Sequence, residues 1–431
     1  MSVTPFTPAV LACAASTRPV PGGVAALRAG VHAQRLLLLK SLLARVDIRR
    51  GGLEPAVRQR FERDWRVLEW VERADRTAVR DVIDYPMTGA WLAQVLAAPE
   101  GPGLERDLAH LGGVAAAAAV RVGRRFDLTV SAPAFTLALP GLGVMHCPTG
   151  QARLRIGSRR VRITDGEGRG GVVLTRSRAM RRYESGSPMG GGPGWSGLRP
   201  LPGSTVMFDD LDPYRVSPHG VGPVARPALE RPDSADGLWA ERWRAATQLL
   251  WRTDSERADE VVAVLRVVVP ITADDRSDHG EASSATLRSA PGAMLASLPT
   301  SAEEMAEILV HEAHHTKLAV IQEVVPLCRR VSGAIHSVGW RPDPRPVPAV
   351  LQGAYAHLAL TDLWSRARDA AGAPEAWRQR AVERFERYRD HVGEALSILL
   401  ESDELTLAGR EFVREMEGHH VSLGTQTRIR G

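Results

Sequence analysis

Apolar residues recur at helical spacing through the first 125 residues of the chain. Val24 to Val46 carries the leucines Leu36–Leu39, Leu42 and Leu43, and Pro55 to Arg80 repeats aromatic and aliphatic residues one helical turn apart. Both stretches predict helices with packed faces. A further helix is expected from about Leu104 through the alanine run Ala115–Ala119 to Gly123, with Trp65, Trp70 and Trp91 as core residues. Near Phe126 the period shortens. Phe126 to Val130 and Phe135 to Leu139 predict short strands that turn at Pro140-Gly141. Arg153–Ile156 and Arg160–Ile163 alternate polar and apolar around Gly157-Ser158, which predicts a hairpin. Residues 126 to 180 therefore read as a β-rich unit, followed by a Gly/Pro-rich loop over 184–203. That loop lacks the strand before it and the helix after it that a phosphate-cradling loop needs.

Helical spacing returns at Asp236 to Arg252, where Trp239, Trp243 and Trp251 are expected on one face. Val261 to Val269 reads as a buried strand, and Pro291 to Leu298 as another after the polar loop Asp274 to Ser284. From Ser301 onward the pattern is almost wholly helical, without internal repeats or heptads. The expected fold class is α+β, mainly helical, with a β-rich middle unit and, around the later helical run His311-Glu312-Ala313-His314-His315, a zincin-like HExxH helical metal domain. The units fall at 1–125 (helical), 126–204 (β-rich unit and loop) and 205–431 (metal-binding, mostly helical).

Composition narrows the function classes. With 431 residues, 44% hydrophobic and 24% charged, the chain can bury a large core in more than one unit. The formal net charge is +5, but no Lys/Arg block interleaves with aromatics, so nucleic acid is not an expected partner. Cys13, Cys147 and Cys328 show no CxxC spacing. That argues against a disulfide framework or a thiolate metal site and suits a reducing cytoplasm. The apolar patch Ala9 to Ala15 is too short and too Pro-flanked for a signal peptide or a membrane span, so neither is expected. Oligomeric state is not legible.

One pattern carries chemistry. Ser301-Ala302-Glu303-Glu304 has the form of a helix N-cap with a capping box, and the helix it opens holds His311-Glu312-Ala313-His314-His315. His311 and His315 lie four residues apart, about 40° around the axis at roughly 100° per residue, so both imidazoles face the same way. Two neutral imidazoles so placed can hold a divalent cation, with Glu312 flanking it to take a proton from bound water or to order other ligands. The surrounding Met305, Ile308, Leu309, Val310, Leu318 and Ile321 make an unliganded polar cluster costly there. His314 points about 100° away and is not expected to ligate. A third protein ligand is needed; Glu323, His336, His357 and Asp362 are the candidates, and His357 sits in the apolar helix Val350–Leu363.

The run His311-Glu312-Ala313-His314-His315-Thr316-Lys317-Leu318 with Val325-Pro326-Leu327 resembles the HExxH-type peptide-modifying proteins encoded beside ribosomally synthesised precursor peptides. So do Trp340-Arg341-Pro342-Asp343-Pro344-Arg345-Pro346, Leu351-Gln352-Gly353-Ala354-Tyr355-Ala356-His357-Leu358 and Asp212-Pro213-Tyr214-Arg215. The matches span roughly residues 205 to 370. The resemblance implies an Fe(II)- and 2-oxoglutarate-dependent dioxygenase that hydroxylates a β-carbon of a precursor peptide with O2. It implies His311, His315 and His357 as metal ligands, with Glu312 or Asp362 left open as a carboxylate contributor. Arg341 and Arg345, with Lys317 in reserve, are then the expected anchors for the distal carboxylate of 2-oxoglutarate. Two rival readings use the same residues: a zinc metalloprotease with Glu312 as general base, and a non-catalytic peptide-binding scaffold.

Overall fold

The structure, a computed structural model, describes residues 6–49, 52–175, 190–222, 224–273, 282–329 and 334–430. Parts of two predicted loops, 184–189 and 274–281, and the end of the predicted β-rich unit, 176–180, lie outside the described residues.

The chain opens with α1 (Pro8–Ala15), α2 (Gly23–Ile48), α3 (Pro55–Ala74), α4 (Arg76–Ile83), α5 (Pro86–Ala97), α6 (Pro102–Ala109) and α7 (Leu111–Val122). The helix expected over Pro55–Arg80 is two helices, because Asp75 leaves helical geometry to cap α4. Its carboxylate accepts from Thr77 N at 2.9 Å and Ala78 N at 3.2 Å. The stretch from Leu104 likewise divides at His110, and Gly123 ends α7 at φ 68°, as a left-handed helix stop does. Four consecutive leucines cannot share one helix face, so Leu39 and Leu42 are buried while Leu36, Leu37 and Leu43 stay exposed. Trp91 is buried, and Trp70 stacks on Phe126 at 4.6 Å between ring centroids.

The β-rich stretch holds β1 (Phe126–Ser131), β2 (Thr136–Leu139), β3 (Gly143–His146), β4 (Gln151–Ile156), β5 (Arg160–Asp165), β6 (Val172–Thr175) and β7 (Trp195–Gly197). They form an antiparallel sheet in the order β1-β4-β5-β6 and a smaller one, β2-β3-β7. The hairpin at Gly157-Ser158 is β4–β5, with Ile156 opposite Val161.

There follow β8 (Arg199–Pro200), β9 (Met207–Phe208), α8 (Asp236–Thr253), α9 (Ser255–Val264), β10 (Val267–Pro270), β11 (Ser284–Thr286), β12 (Ala293–Ala296) and α10 (Ala302–Val324). The chain ends with β13 (Ile335–Val338), β14 (Arg341–Pro346), α11 (Val347–Asp369), α12 (Glu375–Glu401) and α13 (Leu407–Arg430). The valine run is not one strand. Asp254 caps α9 by accepting from Arg257 N at 3.2 Å, the helix takes Val261–Val264, and only Val267 onward is extended. Trp251 is 62% exposed, since eight residues at roughly 100° each carry it about 80° off the face of Trp243.

Strand order β11-β12-β10-β9-β8 makes a mixed sheet: β10 runs parallel to β9 and β12, and β11 closes one edge antiparallel to β12. One face, with Phe208, Val268 and Met294, joins Trp239, Trp243 and helices α10 to α13 in the largest core. The other face, with Val267, Val269 and Leu295, meets Tyr85 and Met87. A separate core unites the end of α2 and helices α3 to α7 with the inner face of β1-β4-β5-β6. The architecture is α+β.

The start of the chain packs into the largest core, through Phe6, Ala14, Ala15 and Leu27. A buried charge cluster fastens it there. Arg18 reaches Asp362 at 2.9 Å and also bonds Asp254, while Arg257 donates to Asp362 and to the carbonyl of Thr17. Burial alone would raise the Asp362 carboxyl, but Arg257, Arg18 and Arg366 overcome it and hold the group well below the usual carboxylate range. A lowered folded pKa contributes stability in full above the unfolded value of about 3.9, and that contribution disappears as pH falls through the folded value. Asp362→Ala is therefore expected to cost about 3–5 kcal/mol in urea unfolding at neutral pH, by stranding buried guanidinium groups. The deficit should shrink in strong acid. A variant as stable as the parent at pH 7 would contradict this role.

Candidate metal centre

Helix α10 begins where the sequence places it. Ser301 Oγ accepts from Glu304 N at 3.1 Å, Glu303 and Glu304 stand in the first turn, and Glu304 turns back to accept from Thr300 N at 2.6 Å. The helix runs past Ala319 to Val324 with α11, α8, α2, α9 and β11 packed around it. Gly30 on α2 permits a close approach, since a Cβ there would stand 2.9 Å from Val320 Cγ1.

His311 and His315 meet Nε2 to Nε2 at 2.9 Å, their rings nearly perpendicular. His357, on α11, lies against His311 with ring centroids 5.2 Å apart. The three predicted ligands therefore lie near one another, although among the described residues no three His, Cys, Asp or Glu side chains are grouped closely enough to hold a metal ion. His311 and His315 keep partial exposure and His357 is buried. Desolvation, then His315 and His357, push the His311 imidazole well below its usual range; burial lowers His357 to about 4. Both rings are neutral at pH 7, the form that ligates metals.

The hydrogen bonds behind the rings decide which nitrogen faces the cluster. Gln352 Nε2 donates to Gln322 Oε1 at 3.1 Å, so Gln352 presents its Oε1 to His315 Nδ1 at 3.2 Å. His315 Nδ1 must then be the donor, leaving a lone pair on Nε2. His357 Nδ1 likewise donates to the Gly353 carbonyl at 2.8 Å, again leaving Nε2 free of a proton. Carbonyl partners on the outer nitrogen are the arrangement that metal-bound histidines use. With nitrogen–metal bonds of about 2.1 Å, the 2.9 Å separation of the His311 and His315 nitrogens also subtends roughly a right angle at a shared cation. The spacing of these two donors is compatible with a shared divalent metal.

Glu312 is 1% exposed and points to the edge strand β11. Its Oε1 accepts from Ser284 Oγ at 2.7 Å and its Oε2 from Thr286 Oγ1, so both oxygens are held by hydroxyls.

The remaining expected residues lie elsewhere. His314 is fully buried on another face of α10, with Nδ1 against Val310 O at 2.7 Å and Nε2 3.0 Å from Arg257. Lys317 donates to Glu260 at 2.8 Å in a buried pair. Asp362 belongs to the charge cluster around Arg18 and Arg257. Glu323 pairs with Arg288 at 3.2 Å, and His336 stands opposite Arg345 on β13. Arg341 and Arg345 lie on β14, partly exposed, and both bind Asp343, at 2.9 and 3.1 Å.

Sequence reading missed the walls of the site. Trp340 stacks on His357 at 4.5 Å and 18°, a fit that needs Gly353: a Cβ there would fall 2.6 Å from the indole. Tyr388 on α12 lies 5.4 Å from His357 and donates to Glu307 Oε2 at 3.0 Å; burial pushes the Glu307 carboxyl up. Glu307 stands four residues before His311, which places it on the same helix face and could have flagged it. No protein-family model matches the chain, and no curated protein matches it.

The relay through Gln352 can be tested by itself. Gln352→Ala is expected to weaken divalent-metal binding about 10–100-fold in competition with a chromogenic chelator, and Gln322→Ala to weaken it less. Unchanged affinity in Gln352→Ala would remove the relay from the account.

Proposed function

We propose that the chain is an Fe(II)- and 2-oxoglutarate-dependent peptide β-hydroxylase of the HExxH peptide-modifying kind, with His311, His315 and His357 holding the metal. The observation that carries the metal part is the convergence of three imidazoles, two of them with Nδ1 committed to a carbonyl. The position of α10 beside a mixed sheet with an antiparallel edge strand, β11, supports a zincin-like arrangement of this part of the chain.

Glu312 favours oxidation over proteolysis. A metalloprotease needs that carboxylate turned to the metal-bound water, whereas here Glu312 is buried and each of its oxygens accepts from a hydroxyl of β11, Ser284 or Thr286. Its role in this reading is to lock α10 to β11 and so fix His311 and His315. When bound, iron with O2 and 2-oxoglutarate supplies the oxidation: 2-oxoglutarate is split to succinate and carbon dioxide, and one oxygen atom enters a substrate C–H bond. Trp340 and Tyr388 cover His357 and keep water from that side of the site. Arg341 and Arg345 bind one carboxylate, Asp343, directly after Trp340, and a co-substrate carboxylate can compete for the same pair. The three cysteines are unpaired, which suits a reducing cytoplasm.

Anaerobically purified protein, given Fe(II), 2-oxoglutarate, O2 and a precursor peptide encoded beside it, is expected to add one oxygen atom per peptide, with matching succinate. Glu312→Gln, which keeps one acceptor oxygen for β11, should retain more of this activity than Glu312→Ala. Peptide cleavage supported by zinc without 2-oxoglutarate, lost equally in both variants, would replace this reading with the protease.

A further inference from the structure

The outer face of β1-β4-β5-β6 is an arginine surface. Arg153 and Arg155 on β4 and Arg160 and Arg162 on β5 all point outward and are exposed, while their neighbours Leu154, Ile156, Val161 and Ile163 are buried in the core beneath. The register sets Arg155 directly opposite Arg162. Like charges opposed across a strand pair destabilise a sheet, and none of the four arginines has an ion pair among the described residues. Asp127, opposite Arg155 on β1, is the one acid that shares their face in these strands.

The charge is concentrated here. The whole chain carries 55 basic and 50 acidic residues, a net charge of +5. Residues 124–175 hold eight arginines against Asp127, Asp165 and Glu167, and so account for that entire excess. Asp165 and Glu167 are both engaged by Arg169 beyond the end of β5, which leaves Asp127 as the one acid against the four arginines of the face.

We infer that this face docks an acidic, extended segment of the peptide substrate, an inference that rests on the proposed peptide-modifying activity. Arginines two apart along a strand are spaced about 6.7 Å, which matches alternate carboxylates of an extended peptide. The outward positions of these strands include no aromatic side chain on which nucleic-acid bases could stack. Such a site would hold the peptide by charge outside the reaction centre and is sensitive to salt.

The test measures anisotropy of a fluorescent decaglutamate with the full chain, without metal or co-substrate. Wild type is expected to bind it, more weakly as salt rises. Changing Arg153, Arg155, Arg160 and Arg162 together to Gln should weaken binding tenfold or more while circular dichroism stays unchanged. A control with Arg66, Arg73, Arg76 and Arg414 changed to Gln lowers the net charge equally and should bind like wild type. Absent binding, equal loss in both variants, or tighter binding of a DNA duplex than of the peptide would overturn the inference. Because the assay contains no iron or 2-oxoglutarate, its failure is separate from failure of the hydroxylation reading, which the oxygen-incorporation assay reports.

Discussion

The structure is organised by the need to satisfy polar groups on a helix buried from several sides. Met305, Leu309, Val310, Leu318 and Ile321 place α10 at the centre of the largest core, yet the same helix carries Glu307, His311, Glu312, His314, His315 and Lys317. A buried polar group without a partner costs roughly 1–3 kcal/mol, so each of these side chains must be answered by the element packed against it. The helix solves the problem by sectors. Glu312 takes hydroxyls from β11, His314 and Lys317 take Arg257 and Glu260 from α9, and His311 and His315 turn to α11.

This separation gives α10 two kinds of polar face. On the side of α1 and α9 the charges pair with one another, so that the start of the chain is fastened by Arg18 and the Thr17 carbonyl. On the side of α11 the groups are imidazoles: the outer nitrogens of His315 and His357 are bonded to carbonyls, and the inner nitrogens of His311 and His315 meet at hydrogen-bond distance. Imidazole nitrogens that face one another can share a cation, which is why the second face reads as a site and the first as structure. The arginine face on the β1-β4-β5-β6 sheet follows the opposite logic: like charges are left opposed at the surface, where a partner can neutralise them.

Local signals in the sequence were sufficient where structure is locally determined. Ser301 with Glu304, the alternation around Gly157-Ser158, and the apolar run before His357 correspond to the α10 cap, the β4–β5 hairpin and α11. Expectation and structure differ where a run of apolar residues fits more than one arrangement. Valines 261–269 are shared between α9 and β10, Leu36, Leu37 and Leu43 fall outside the core face, and Trp251 drifts off the stripe of Trp239 and Trp243. The gathering of His357 with His311 was approachable, because one helix needed a third ligand and another offered an unexplained histidine. The contributions of Trp340, Tyr388 and Gln352 were not, since they depend on how α11, α12 and the β13–β14 hairpin pack. Asp362 looked like a spare ligand in sequence and is held by Arg18 and Arg257, which come from far along the chain.

The central claim is that His311, His315 and His357 form one cation site. Its most direct test is the iron content of the full-length protein after anaerobic loading with Fe(II) and removal of free metal. The account predicts one iron per chain in the parent and a large loss in His311→Ala, His315→Ala and His357→Ala, each still folded by circular dichroism. A His357→Ala protein that keeps one tightly bound iron per chain would contradict it.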